Sequence, residues 1–434
     1  MALRGHAFLF VTWNGGGNVP PTMAIAAKLA ARGHRVRVVG PGSLTDAVHT
    51  AGCSFVPFSR APERTRSPGA LLGRARTLGL APELARSRPA AAFAAELLDA
   101  LDTEMADVLV IDFMLAGAIA AAERTRLPTA AIMHTLYCLP APGRPPFGPG
   151  LAPGSGVSGR LRDIRLTHLV TPLRRRGLRD LNDARRRLGL APVASAAQQL
   201  ARLQRILVTT SPAFDPWAGS LPANVRYVGA QRPPRARPAQ DTLAVGDDRD
   251  PPLVLVSLST RFADAGLAQR ILDALSALPV RGLLTLGPVL DHADLRAPPN
   301  VTVSRFVDHA AVLPHASLVI THAGLGTVMA ALAHGVPLLC LPLKADQFEN
   351  AARVVGLGVG RQLSKHATSA QLRRGTLDLL TDPRFPRAAK RLASALASGR
   401  DADPVAELEA LTGRTKDGAR MPRVVDTPAA VPSG

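Results

Sequence analysis

Short apolar runs alternate along the first 230 residues with longer stretches whose apolar positions recur every three or four residues. Runs at 7–13, 35–39, 108–111, 129–133 and 205–210 are rich in aliphatic and β-branched residues and read as strands. Between them, 22–31, 91–103 and 115–124 carry the longer period of helices, the first stopped by Gly33. The pattern resumes after residue 251, with strands at 253–258, 282–286, 301–304, 318–320 and 337–341. Helices are predicted at 267–278, 328–334, 370–380 and 386–396. Strand and helix alternating in this way point to an α/β fold. Residues 231–251, dense in Pro, Arg and Asp, read as a linker, so we place an N-terminal domain at 1–230 and a second domain at 252–412. The last helix is expected to return to the first domain, and 413–434 to be a disordered tail. Residues 62–89 and 139–158 read as loops, and 160–188 as an Arg-rich helix with a solvated basic face.

The formal net charge of +19 first raises a nucleic-acid partner, but only five of the 52 basic residues are Lys and aromatic residues make up 4%. An Arg bias beside abundant Ala, Gly and Pro, with few rings to stack on bases, argues against that partner. A basic surface can still gather anionic small molecules. Cys53, Cys138 and Cys340 are scattered, with no disulfide framework or zinc spacing, and the apolar N-terminus is broken too early for a signal peptide. No apolar run is long enough for a membrane span. The expected setting is the cytoplasm, without stable membrane insertion.

Candidate chemistry concentrates at 317–360. A strand runs into His322-Ala323-Gly324-Leu325-Gly326-Thr327 and then a helix, which is the arrangement of an anion site: first-turn amides lack intrahelical partners and glycines admit a phosphate. A second strand is followed by Asp346-Gln347-Phe348-Glu349-Asn350, near the strand ends where open α/β sheets bind ligands. His-x-Gly-x-Gly-Thr, Gly-Val-Pro-Leu and Pro-x-x-x-Asp-Gln-x-x-Asn-Ala, in this order, closely resemble the donor-binding region of family-1 glycosyltransferases of the antibiotic and macrolide type. That resemblance, extending over about 7–411, implies a GT-B fold of two Rossmann-like domains facing a central cleft. It implies that His322, Gly324, Gly326 and Thr327 hold the diphosphate of a nucleotide sugar, and that Asp346 and Gln347 meet the sugar hydroxyls. Thr260 falls at a phosphate-contacting turn, and Phe306 and Val307 at the nucleobase. Ala330 stands where plant relatives carry a ribose-binding Glu.

At the N-terminus, Asn14-Gly15-Gly16-Gly17-Asn18 precedes Pro20 and a helix. Pro20 occupies the place of the third glycine of a dinucleotide fingerprint, and no acidic residue closes the second strand, so that reading fails. By resemblance the loop faces the acceptor. Relatives commonly carry His-Gly-His here and use the first as general base, whereas this chain has Gly16 and Asn18, neither of which takes a proton near neutral pH. Asp112, matching the carboxylate that partners that histidine, is the first candidate for the acceptor proton, and His134 the second. The resemblance thus implies an inverting, metal-independent enzyme, with a dTDP- or UDP-linked sugar as co-substrate, a small-molecule aglycone as acceptor, and no cofactor. It is expected to be a monomer or homodimer. Alternatives are a nucleotide-sugar-binding protein lacking transferase activity, motivated by the absent histidine, or a GT-B enzyme with a lipid acceptor, motivated by the Arg-rich helix.

Overall fold

Seven parallel strands form one sheet and six parallel strands a second. The computed structural model describes residues 5–62, 89–140, 144–218, 221–232, 250–258, 264–287, 295–344, 346–399 and 401–413. Most of the expected linker, the expected tail, nearly all of 62–89 and the turn containing Thr260 therefore lie outside the described residues.

The first sheet contains β1 (Ala7–Val11), β2 (Arg35–Gly40), β3 (Ser54–Pro57), β4 (Val108–Asp112), β5 (Thr129–Met133), β6 (Arg205–Val208) and β7 (Val225–Tyr227), in the order β3-β2-β1-β4-β5-β6-β7. The second contains β8 (Leu253–Ser257), β9 (Arg281–Thr285), β10 (Val301–Ser304), β11 (Ala316–Thr321), β12 (Leu338–Cys340) and β13 (Gly360–Gln362), in the order β10-β9-β8-β11-β12-β13. The central strands β1, β4 and β5 are buried throughout, which explains their apolar character. Each order reverses once, between β1 and β4 and between β8 and β11. Loops leaving neighbouring strands diverge there and open a crevice.

The helices packed on these sheets are α1 (Val19–Ala31), α2 (Thr45–Thr50), α3 (Ala90–Thr103), α4 (Ala116–Thr125), α5 (Gly156–Arg187) and α6 (Ala196–Leu200) in the first half. In the second half they are α7 (Ala265–Ser276), α8 (His309–Val312), α9 (Leu325–Ala333), α10 (Gln347–Gly356), α11 (Ser369–Thr381), α12 (Arg384–Ala397) and α13 (Pro404–Thr412). Helix α1 starts earlier than its apolar period indicates, because Pro20 and Pro21 sit in a first turn where a missing N–H is no loss. Helix α5 begins inside the stretch expected to be loop, where Asp163 accepts from the Gly154 amide at 2.8 Å. Helix α13 lies against the first sheet: Val405, Leu408 and Leu411 are buried in one cluster with Phe8, Leu29 and Val110. Glu409 of α13 reaches Arg32 at 2.8 Å and His34 at 2.9 Å. The end of the described chain is therefore pinned to the N-terminal domain.

Candidate active site

The loop after β1 is folded by one side chain. Asn18, 1% exposed, accepts from the Gly15 amide at 2.8 Å and donates to the Trp13 carbonyl at 2.7 Å and to Asp112 Oδ2 at 2.9 Å. A Cβ at Gly15 would lie 2.6 Å from the Trp13 ring, and Gly16 has φ +84°, so both glycines are dictated by the backbone path. Asn14 accepts from the Gly16 amide at 3.3 Å and donates to Ser43 at 3.1 Å. Asn14 and Asn18 thus shape the loop.

Asp112, at the end of β4, is 2% exposed. Its Oδ1 accepts from the Met114 amide at 3.0 Å, so it does serve the turn, but its Oδ2 lies 3.3 Å from His134 Nδ1. His134 follows β5, the next strand in the sheet; Asp112 pairs with Ile132, which places the carboxylate and the imidazole side by side. Phe113 packs edge-on against the imidazole at 5.1 Å. A carboxylate beside Nδ1 favours a proton on that nitrogen and leaves Nε2 as the ring's second functional nitrogen. The two candidates for the acceptor proton form one unit, with the carboxylate buried and the imidazole beside it.

On the second domain, β11 ends at His322-Ala323-Gly324 and α9 begins. Ala323 has φ +64°, a left-handed conformation that a side-chain-bearing residue rarely adopts. Asn350 of α10, fully buried, donates to the Ala323 carbonyl at 2.9 Å and holds this bend. The His322 ring lies on Gly324, whose added Cβ would be 2.7 Å from Nε2. Burial pushes the His322 imidazole down to about 4, helped by the charge of Lys344 and opposed by the Ser257 backbone. At neutral pH this ring is therefore a neutral hydrogen-bonding group. The amides of Leu325, Gly326 and Thr327 form the open first turn of α9, whose first intrahelical bond runs from Val328 to the Gly324 carbonyl at 3.0 Å.

Helix α10 starts with Gln347, and its side chains sort the remaining predictions. Asp346 precedes the helix but makes no side-chain cap; its Oδ2 accepts from Asn350 at 3.3 Å. Gln347 departs from expectation in part, because its Oε1 accepts from the Leu343 and Lys344 amides at 2.8 and 3.0 Å. Only its Nε2 group is then available to a sugar hydroxyl. Phe306 is 78% exposed and so takes no part in core packing, while Val307 is half-buried against the core.

A cavity of about 290 Å³ separates the domains. Gly17, Pro20 and His134 line it from the first domain, and Asp308, Leu325 and Gly326 from the second. Arg232, within the expected linker, also lines it, as does His309, whose pKa burial lowers. Sequence reasoning missed Asn350, Lys344 and Arg232. Asn350 and Lys344 stood inside the motif without an assigned task, and Arg232 was hidden in a stretch read only for its composition. Among the described residues, no helix is long and apolar enough to cross a membrane.

Two doubly wound domains, with residues from both switch-point regions lining one cleft, define a GT-B architecture. The structure of the kitacinnamycin glycosyltransferase superposes with TM-score 0.70 at 23% identity, covering 95% of this chain and 98% of that one. Glycosyltransferase VinC in complex with dTDP gives 0.68 at 18% identity over 94% and 99%. Residues 269–411 match the family described as erythromycin biosynthesis protein CIII-like, C-terminal domain. The 4'-demethylrebeccamycin synthase of Lentzea aerocolonigenes is 33% identical over 413 residues, 92% of this chain and 97% of the relative. The chain belongs to the family of antibiotic natural-product glycosyltransferases, and it is an enzyme of that class.

Proposed function

We propose that this glycosyltransferase is inverting and metal-independent, moving a sugar from a dTDP- or UDP-linked donor to a small-molecule aglycone in the cytoplasm. The observation that carries the reading is that His134 and the first turn of α9 line one cavity from opposite domains. That placement suits in-line displacement. The acceptor hydroxyl or N–H gives its proton to His134 Nε2 as its heteroatom attacks the anomeric carbon, and the bond to the diphosphate oxygen breaks. Asp112 holds the ring and stabilises the imidazolium that forms, replacing the absent loop histidine with a residue from the neighbouring strand.

Charge on the leaving diphosphate is met by the amides at Gly324, Gly326 and Thr327. His322, neutral at physiological pH, lines the turn without a charge, and Lys344 nearby contributes the positive charge that His322 does not carry. Asp346 takes sugar hydroxyls, Gln347 adds its amide N–H, and exposed Phe306 offers a face to the base while Val307 pairs with it through its backbone. VinC, similar in fold, was captured with dTDP, which supports a thymidine nucleotide. Three buried cysteine thiols, none joined in a disulfide, suit a reducing compartment.

The test incubates the protein and excess EDTA with dTDP- and UDP-sugars and a panel of phenol, alcohol and indole acceptors. Anomeric configuration is read from proton couplings in the product. Transfer with inversion, undiminished by EDTA, is the expected result; retention, or dependence on added metal, overturns the proposal.

A further inference from the structure

A buried charged network joins the two domains through α10. Arg353 donates from Nε and Nη2 to Asp215 Oδ1 at 3.2 and 3.1 Å, and from Nη1 to Glu349 Oε2 at 2.6 Å. The Tyr227 hydroxyl donates to Asp215 Oδ2 at 2.7 Å, and the Gly148 and Gly150 amides both donate to Glu349 Oε1 at 2.8 Å. The guanidinium lies 4.3 Å from the centroid of the Trp217 ring. Asp215 is 1% exposed, and Glu349 and Arg353 are each 3% exposed. Every carboxylate oxygen and every guanidinium nitrogen in this set has a partner.

Stability alone is a poor account of such a cluster, because buried ions recover their desolvation cost only with well-made partners and apolar side chains would stabilise as well. What a satisfied polar network adds is a single register: apolar surfaces slide, whereas this bonding pattern permits one arrangement. The elements it fixes are informative. Glu349 lies in the first turn of α10, close behind Asp346 and Gln347. Gly148 and Gly150 belong to the segment that leaves β5 through His134. A Cβ at Gly150 would meet the Phe348 carbonyl oxygen at 2.4 Å, and its φ is +69°, so glycine is what allows this segment to reach α10.

We propose that Asp215, Glu349 and Arg353 are positioning residues for sugar transfer. They hold the sugar-facing end of α10 in one register against the segment that follows the base, while the α9 turn that takes the diphosphate keeps its own support, the Asn350 bond to the Ala323 carbonyl. The inference rests on the assignment of Asp346 to the sugar and of His134 to the acceptor proton.

The test is calorimetry on the full chain with UDP and dTDP, then with the corresponding nucleotide sugars, together with steady-state transfer, for Asp215→Asn, Glu349→Gln and Arg353→Lys. Expected is affinity for the bare nucleotide reduced at most severalfold, with the extra affinity contributed by the sugar lost. The kcat should fall about tenfold to a hundredfold. Arg353→Lys, which keeps the charge, should restore part of both relative to Arg353→Met. Equal weakening of nucleotide and nucleotide sugar, or unchanged kcat, would show a merely structural interface and overturn the inference. Glu349→Gln keeps the side-chain volume and the acceptor for both glycine amides, and it decides the matter should another variant not fold. A wild-type chain that binds neither nucleotide overturns the proposed function and this inference with it.

Discussion

Gly324 and Gly326 are two positions apart, and only the first is constrained by a neighbour. At Gly324 a methyl group would press on the His322 ring, so Gly324→Ala should lower stability by about 1–3 kcal/mol and disturb the imidazole. At Gly326 nothing lies within 4 Å of an added Cβ. Gly326→Ala should therefore leave stability unchanged or raise it by up to about 1 kcal/mol, Ala being the better helix former. Nucleotide affinity should still fall, because the methyl group occupies the path of the phosphate. Thermal melts and calorimetry on the pair separate these effects; wild-type affinity in Gly326→Ala would place the diphosphate elsewhere. His322 gives a pH prediction. Its folded pKa is depressed to about 4 from 6.5, so the native state binds fewer protons than the unfolded chain between those values. The stability that its neutral form supplies is present above pH 6.5 and is lost as pH falls toward 4, by roughly 3 kcal/mol in all. Urea unfolding at pH 7 and pH 5 should show a smaller drop in His322→Asn than in wild type, and an equal drop contradicts the assignment. At this scale the sequence located Asp112 and His134 separately at two strand ends. Their partnership depends on β4 and β5 being neighbours, which spacing along the chain does not reveal.

Helices α9 and α10 act on the same turn from two sides: α9 offers its amides, and Asn350 of α10 holds the Ala323 carbonyl that precedes them. Asn350→Ala leaves that carbonyl without its buried partner and releases a strained residue. A cost of about 1–3 kcal/mol is expected, with nucleotide affinity reduced although Asn350 is not proposed to touch the ligand. Unfolding midpoints and calorimetry check both; full affinity in a destabilised variant would show that the bend needs no support. The motif containing Asn350 was legible, but its task was not, since a side chain reaching from one helix to the turn before another leaves no periodic trace. Strand legibility followed burial. The central strands appeared as apolar runs, whereas β3 and β13, of four and three residues at sheet edges, carry too little pattern to be seen. The start of α5 was concealed by the Pro and Gly residues just before it.

For the whole molecule, two sheets with one reversal each bring His134 from one domain and the first turn of α9 from the other to a common cavity. Helix α13 returns to the first domain, and the Asp215–Arg353–Glu349 network crosses between domains, so their relation is fixed at two separate places. The cleft itself was legible only through resemblance, because no local pattern states which two loops of different domains will face each other. The central claim is that these two walls divide the work, the first taking the acceptor proton and the second binding the donor. It is tested most directly by measuring transfer and nucleotide-sugar affinity side by side in His134→Ala. The account predicts transfer lowered by about a hundredfold or more with donor affinity preserved. Undiminished transfer, or donor binding lost in parallel with it, would contradict it.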